Sequence, residues 1–98
     1  MKTLKQLANN QVVICESTKE KTIHEFYSYG TFIARYEITP HEKSKLMLSE
    51  YYDYSRTTSK YLKIFLRDYC GIWYEDKRDL NKMIKAGGLG NVIIQVIE

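Results

Sequence analysis

The sequence of 98 residues lacks the cysteine patterns that mark metal sites and disulfide frameworks. Its two cysteines, Cys15 and Cys70, lie far apart and have no spacing of the metal or redox type. It also lacks an N-terminal apolar signal region and an apolar run of about 18 residues, the length of a membrane span. These absences predict a soluble, reduced protein of the cytoplasm with two buried thiols. A disulfide between the two cysteines stays an open alternative.

Motifs for catalysis and ligand binding are missing as well. His24 and His41 do not lie within the roughly two to five residues of another ligand that zinc sites require. The glycine-rich run at residues 87–90 lacks the preceding strand and following helix of a dinucleotide site, so it predicts a helix stop and a turn. The sequence contains no nucleophile elbow, paired-acid motif or phosphate loop. We therefore predict a non-enzymatic protein without a metal or a cofactor.

Length and charge leave several partner classes open. With 98 residues, 44% of them apolar, the chain fits one small domain over residues 1–98. Because a chain of this size buries only about 60 to 65% of its unfolded surface, a homodimer that buries more is one alternative. The net charge of +3 is mild and no basic tail or run is present, so composition permits nucleic-acid binding without predicting it.

The longest predicted helix lies within residues 53–71, and two stripes of side chains run along it. Ser55 is the predicted N-cap, and Gly71 is the predicted end because glycine accepts a positive φ. One stripe is apolar and is expected to be buried; it consists of Thr58, Tyr61, Leu62, Phe65, Leu66 and Tyr69. The other stripe is basic and consists of Arg56, Lys60, Lys63 and Arg67.

Most segments before the long helix have the patterns of strands. The predicted strands are residues 11–16, residues 45–49 and, between them, an antiparallel hairpin of residues 22–29 and 31–38 that turns at Gly30. The first of these is an apolar run and predicts a strand covered on both faces. Residues 1–10 differ, because Leu4 and Leu7 have a helical spacing and predict one or two amphipathic helical turns.

Alternation in the second strand of the hairpin predicts which side chains face the long helix. The predicted apolar face consists of Phe32, Ala34, Tyr36 and Ile38. The predicted opposite face is largely solvated and consists of Ile33, Arg35 and Glu37.

The C-terminal part predicts a second helix and a final strand. Asp76 is the predicted N-cap of a helix of about ten residues that ends at Gly87 and Gly88. Residues 92–97 are apolar apart from Gln95 and predict a strand in the interior of the sheet. Together the segments predict an α+β fold with a mainly antiparallel sheet of about four to six strands and two helices packed on one face.

Two groups of side chains near the start of the long helix are candidates for a binding surface. Tyr51, Tyr52 and Tyr54 are of the kind that stacks on bases or anchors an interface, unless they pack in the core and fix the helix entry. The basic stripe either contacts phosphates or is an ordinary solvated helix face. The basic residues of the second helix extend the basic stripe; they are Lys77, Arg78, Lys82 and Lys85. The single tryptophan, Trp73, is predicted to be a core plug.

Several of these segments resemble a known family. The likeness is greatest in DYSRTTSKYL at residues 53–62, followed by Phe65 and Leu66, and it includes FYSY at residues 26–29 and FIA at residues 32–34. Over residues 23–86 the chain is similar to small proteins encoded by bacteriophages and related mobile elements. The resemblance implies a context and no assigned chemistry, because such proteins often act stoichiometrically on host machinery, including CRISPR effectors and other defence systems.

The leading hypothesis is a non-enzymatic phage or mobile-element accessory protein that binds a host protein or a protein–RNA complex in the bacterial cytoplasm. Its predicted contact residues are the basic stripe and the three tyrosines, and inhibition of a nucleic-acid-targeting defence system fits this context. The first alternative is a small nucleic-acid-binding regulator that uses the same basic stripe. The second is a homodimeric structural or assembly module with the tyrosines at its interface. No membrane partner is expected.

Overall fold

The computed structural model describes residues 2–97, which form seven strands and two helices. Five strands precede the helices, and two follow them. The strands are β1 (Lys2–Ala8), β2 (Gln11–Ser17), β3 (Thr22–Ser28), β4 (Thr31–Ile38), β5 (Ser44–Ser49), β6 (Gly88–Leu89) and β7 (Val92–Ile97). The helices are α1 (Arg56–Cys70) and α2 (Lys77–Lys85).

All seven of these strands belong to one sheet in the order β1-β2-β3-β4-β5-β7-β6. Neighbouring strands are antiparallel except β5 and β7, which are parallel because the chain passes through both helices between them. The predicted α+β class with a mainly antiparallel sheet is therefore confirmed. The predicted number of four to six strands is too low, because the sequence patterns indicate neither β1 nor the two-residue β6.

The prediction of helical turns in residues 1–10 is wrong for residues 2–10, which form β1 and a turn. Met1 lies outside the described residues. Asn10 takes a left-handed φ of 63°, and the tight turn there places β1 antiparallel to β2. Leu4 is 68% exposed, so its helical spacing with Leu7 does not reflect a shared buried face.

The predicted hairpin of β3 and β4 is confirmed, and it turns at the predicted glycine. Tyr29 and Gly30 both take left-handed φ values, 52° and 77°, as in the two-residue turns that suit the twist of antiparallel strands. Glycine adopts this region without steric cost, and the turn length fixes the starting register of the two strands.

A β-bulge in β4 changes which side chains of the hairpin are buried. Ala34 pairs with Phe26 and Phe32 pairs with Tyr27, so Ile33 is an extra residue without a partner on β3. Ile33 turns into the core and is fully buried, whereas Phe32 stays on the opposite face against Tyr27. The predicted alternation is wrong at these two positions, because an inserted residue interrupts the two-residue period with which side chains alternate between the faces.

Both helices pack on the same face of the sheet and share one core with it. Residues that pair across strands lie on one face, and the row formed by Val13, Phe26, Ala34 and Leu48 faces the helices. The rings of Phe26 and Phe65 stack with centroids 5.7 Å apart. The helices and the link between them contribute Leu62, Phe65, Leu66, Ile72, Tyr74 and Leu80 to the same buried cluster. Burial of these side chains is the main source of stability for a chain of this size.

In the part of the chain that the structure describes, the opposite face of the sheet has no helix over it. Val13 is fully buried, but Val12 and Ile14 point to this opposite face and stay partly exposed. The prediction that residues 11–16 are covered on both faces is therefore wrong, because both helices lie on one side. Ile38, at the end of β4, lies on the same face as Ala34 and Tyr36, as predicted, but it is 38% exposed.

Both helices begin at the predicted caps, and α1 ends at the predicted glycine. Ser55 caps α1, and its Oγ accepts a 3.1 Å hydrogen bond from the backbone N–H of Thr58. Gly71 has a φ of 66°, and its N–H donates to the carbonyl oxygen of Leu66, which is typical of glycine after a helix. Asp76 caps α2 by accepting a 3.1 Å hydrogen bond from an N–H of its first turn. These caps fix where the basic stripe starts.

Candidate partner-binding groove

A groove of about 580 Å³ lies between the start of α1 and the segment that leads into α2. Its floor includes Leu62, Tyr74 and Leu80, which are almost completely buried. Its walls are the loop at residues 52–55, the first half of α1 and residues 74–77. An apolar floor with a few polar groups at the rim is the usual composition of a binding site.

Tyr52 ties the loop before α1 to α2 at one side of the groove. Its hydroxyl donates a 3.1 Å hydrogen bond to Oδ1 of Asn81, and its ring packs against the core. Burial, together with the neighbouring Asp53 carboxylate, raises the pKa of Tyr52, so the phenol stays protonated at neutral pH. The sequence leaves two roles open for the tyrosines, contact with a partner and packing at the start of the helix. Tyr52 has the second role.

Tyr51 and Tyr54 are the exposed members of the tyrosine cluster, with 50% and 49% of their surface accessible. Their rings meet edge to face with centroids 6.4 Å apart. Tyr54 lines the groove, whereas Tyr51 lies beside it and shares a smaller recess with Thr31. The two rings therefore form an exposed aromatic surface next to the groove, of the kind that anchors protein interfaces.

Three residues of the predicted basic stripe line the groove, namely Arg56, Lys60 and Lys63. Lys63 is held in place, because its Nζ donates a 2.7 Å hydrogen bond to the carbonyl oxygen of Glu75 and lies 4.8 Å from the ring centroid of Trp73. Arg56 and Lys60 form no ion pair within residues 2–97. These two cations are available to an anionic partner.

Arg67, the fourth residue of the basic stripe, does not line the groove. Its Nε donates a 2.8 Å hydrogen bond to Oδ1 of Asp68, so its charge is offset by the next residue. The same hydrogen bond from Arg67 lowers the pKa of the Asp68 carboxyl. The structure therefore separates Arg67 from the three basic residues that the groove brings together.

The wall opposite α1 carries both signs of charge, and most of its acidic groups have structural partners. Lys77 forms an ion pair with Asp53 across the groove. Asp76 caps α2 and lies 3.3 Å from Arg78. The hydrogen bond from the backbone N–H of Asp79 lowers the pKa of Asp76, so this cap is ionised at neutral pH. Glu75 also lines the groove and forms no ion pair within residues 2–97, so a partner meets the cations of Arg56 and Lys60 on the α1 side and one carboxylate on the other.

Trp73 lies outside the core, and the prediction of a core plug is wrong. The link between the helices is extended, so Ile72 and Tyr74 turn inward, with 2% and 6% exposure, and Trp73 turns outward with 62% exposure. The exposed ring is stabilised by the ammonium group of Lys63. Tyr74 is a groove residue that the sequence analysis does not identify, although the alternation in this link is a signal that indicates it.

A second polar cluster lies on the helix-covered face of the sheet, away from the groove. Nδ1 of His24 is 2.9 Å from Sγ of Cys15, and the His24 ring is 5.1 Å from that of Tyr69. Burial lowers the pKa of His24 and raises the pKa of Cys15, so both are neutral near pH 7. Burial also raises the pKa of Cys70, and the two cysteines are free thiols.

Two other kinds of functional feature are not present in residues 2–97. No group of three or more His, Cys, Asp or Glu side chains there is arranged to hold a metal ion. No helix in this range is long and apolar enough to cross a membrane. The groove is larger than two other recesses of the surface, of about 390 and 470 Å³. Its lining combines apolar, aromatic, basic and acidic side chains.

The fold and the groove define a class: a small α+β protein with a helical layer on one sheet face and an apolar groove with a basic rim. A family model matches residues 1–82, which is most of the chain. The protein therefore belongs to this family, described as a family of unknown function (DUF8033). The comparison with curated proteins gave no match, and the comparison with solved structures gave none either.

Proposed function

We propose that the protein is a non-enzymatic binding protein whose groove and neighbouring tyrosines contact a host protein or a protein–RNA complex. The observation that carries the proposal is the position of Arg56, Lys60 and Tyr54 around one apolar floor. Arginine and aromatic side chains around such a floor are typical of the few residues that supply most of the energy of an interface. Two cations without ion-pair partners among the described residues favour a partner surface with negative charge.

The proposed context is an accessory protein of a phage or mobile element that acts in the bacterial cytoplasm. The resemblance over residues 23–86 supports this context, and inhibition of a nucleic-acid-targeting defence system, as by anti-CRISPR proteins, fits it by association. An inhibitor of this kind acts by occupying a surface of its target. The proposal therefore assigns no catalytic residue, metal or cofactor to the chain.

Direct binding of nucleic acid is the second candidate, and the exposed ring of Tyr54 beside Arg56 and Lys60 favours it. The structure leaves fewer cations for phosphates than the stripe suggests, because Arg67 is paired and Lys63 donates to a backbone carbonyl. Two phosphate contacts correspond to a salt-dependence slope of only about −2. A protein surface is therefore the preferred partner.

A capture experiment tests the proposal. Wild-type protein and the single variants Arg56→Glu and Lys60→Glu are immobilised and exposed to bacterial lysate, with and without nuclease treatment. Arg67→Glu is the matched control, because it makes the same charge change on the same helix outside the groove. We expect a partner that wild type and the control retain and the two groove variants lose. The proposal fails if no retained partner depends on Arg56 or Lys60.

The nucleic-acid candidate is tested separately by gel shift over a salt series with duplex and single-stranded probes. Binding that weakens with salt at a slope of about −2 and is lost in Arg56→Glu would support this candidate, since each neutralised phosphate contributes about 0.9 to the slope. Salt-insensitive or absent binding contradicts it. In the capture experiment, a partner that nuclease treatment removes indicates a protein–RNA complex.

A further inference from the structure

The sheet face that points away from the helices, here called the outer face, carries an apolar patch. Cross-strand partners share a face, so the register places each side chain on the outer face or on the helix-covered face. Six partly exposed apolar residues lie on the outer face of β2 to β5, namely Val12, Ile14, Ile23, Tyr27, Phe32 and Met47. None of the six belongs to the core or packs against it, and no described helix lies over them.

The apolar patch is continuous from β1 to β4, whereas Ile23 lies between Glu16 and Glu37 and Met47 pairs with Arg35. Val12 pairs with Tyr27, and Tyr27 contacts its partner Phe32 with ring centroids 5.8 Å apart. Ile14, two residues along β2 from Val12, pairs with the largely exposed Leu4 of the edge strand β1. A contiguous apolar patch on a small protein is typical of an interaction surface, whereas scattered apolar residues are not.

The charged side chains of the outer face largely neutralise one another. The ion pairs are Lys2–Glu16, Lys21–Glu37, Arg35–Glu25 and Arg35–Glu37, with N–O distances of 3.3 to 4.0 Å. In these pairs three cations offset three carboxylates. Lys45, which is opposite Glu37 in the register, adds one further positive charge, so the net charge of the face is near +1. A nearly neutral face with both signs can meet a copy of itself without strong like-charge repulsion.

The size of the outer face suits a dimer. The six strands other than the two-residue β6, at a spacing of about 4.8 Å and a length of about 20 Å, give a projected area of roughly 600 Å². Side-chain relief makes the accessible area larger than the projection, which brings it close to the about 800 Å² per partner that stable interfaces bury. A chain of 98 residues gains from such burial, because its own core covers a modest share of its surface.

We propose that two copies of this chain pack outer face against outer face as a twofold symmetric dimer. The patch around Val12, Ile14, Tyr27 and Phe32 forms the apolar part of the interface. The Arg35–Glu25 ion pair lies directly beside Ile14, and the Lys2–Glu16 and Lys21–Glu37 pairs lie further along the strands. This interface differs from the groove, because the groove lies on the helical side of the sheet. Both grooves of the dimer therefore remain open and point away from each other.

Light scattering over a concentration series tests the dimer with variants that keep strand propensity. The double variant Ile14→Thr/Phe32→Thr makes the centre of the patch polar and places threonine, a residue of high strand propensity, at both positions. Leu89→Thr is the control, because Leu89 is an exposed apolar residue outside the patch. We expect dimeric wild type and control and a monomeric double variant. A monomeric wild type at the highest soluble concentration, or a double variant that stays dimeric, overturns the proposal.

A second measurement uses the wild-type chain alone, so it does not depend on whether the variant folds. Met47 lies on the outer face, whereas Met83 packs on the helical side, and both are partly exposed. We expect oxidation of Met47 by dilute peroxide to slow several-fold as the protein concentration rises, because the dimer covers it, with no such change at Met83. Equal concentration dependence at both methionines, or none at Met47, overturns the proposal. Neither outcome bears on the groove, which the capture experiment tests.

Discussion

Lys63 of α1 donates a 2.7 Å hydrogen bond from Nζ to the backbone carbonyl oxygen of Glu75. The bond joins α1 to the link that leads into α2, so it closes one side of the groove. The same ammonium group lies 4.8 Å from the ring centroid of Trp73, in the same link. Lys63 thus has a structural role that its place in the basic stripe does not indicate.

We expect Lys63→Met to lower the free energy of unfolding by about 1 kcal/mol, because it removes the hydrogen bond and the cation–π contact and keeps the apolar stem. Urea unfolding, followed by the fluorescence of Trp73, measures the change. Lys60→Met is the control, since the exposed Lys60 lies on the same helix and 5.3 Å from the ring centroid of Tyr61 but forms no such hydrogen bond. Its expected effect is within about 0.5 kcal/mol. Equal losses in the two variants would contradict this role.

Ser28 and Thr58 form a buried hydrogen bond between the sheet and α1, with their hydroxyl oxygens 2.9 Å apart. We expect Thr58→Val to destabilise the protein by about 1 to 3 kcal/mol, because the Ser28 hydroxyl loses its partner in the core and the Ser55 hydroxyl, which donates a 3.0 Å hydrogen bond to Oγ1 of Thr58, loses its acceptor. The cap bond from the Thr58 N–H to Ser55 remains. In a double-mutant cycle measured by urea unfolding, Ser28→Ala should lower the free energy of unfolding less in the Thr58→Val background than in the wild-type background. Additive effects would mean that the two hydroxyls are not coupled.

Stability should fall in mild acid because of His24, whose pKa burial lowers below 6.5. Its ring faces Cys15 on β2, Tyr36 on β4 and Tyr69 on α1, and burial among these side chains is the cause of its lowered pKa. The unfolded chain therefore binds the proton more tightly than the folded one, and stability is lost as pH drops below about 6.5.

Urea unfolding at pH 7.5 and pH 5.5 measures this loss, which should be smaller in His24→Gln than in wild type. The control is His41→Asn, because His41 is exposed in a loop and asparagine tolerates its left-handed φ of 66°. The control should keep the wild-type loss. An unchanged loss in His24→Gln would assign the acid sensitivity to another group.

Gly88 is the glycine whose replacement should cost most. A Cβ at this position would lie 2.2 Å from the carbonyl oxygen of Val92, and its φ is +155°. We expect Gly88→Ala to destabilise the protein by about 2 to 5 kcal/mol, since both steric overlap and backbone strain oppose it. Gly87→Ala is the control, because φ is +80° but nothing lies within 4 Å, so its cost should be about 1 to 2 kcal/mol. Chemical denaturation compares the two, and a reversed order would be contrary to this account.

The elements that depend on local chemistry are the ones the sequence predicts correctly. Ser55 and Asp76 cap their helices, and Gly71 ends α1, because each acts within one turn of its own position. The bulge at Ile33 and the strand that contains Leu4 are not predicted, because they depend on pairing with neighbouring strands. Neither feature has a signal in the local period of apolar residues.

The sequence predicts the part of the candidate site that lies on α1, but not the part that other segments contribute to the groove. Arg56, Lys60 and Lys63 share one side of α1, as their spacing indicates, because helical geometry alone determines this. The offset of Arg67 by Asp68 and the apolar floor from Tyr74 depend on rotamers and on packing between distant segments. The role of these residues in partner binding stays a prediction for the capture experiment.

The parallel pairing of β5 with β7 has a consequence for the order of folding. Each of β1 to β5 pairs with a strand next to it in sequence, whereas Ser44 pairs with Val92 from beyond both helices. Closing this long loop is slower than forming hairpins, so we expect β7 to dock late. Until it docks, the nascent meander has an open edge along β5. The β7 strand of another chain can occupy that edge, which makes concentrated refolding prone to strand-swapped kinetic traps.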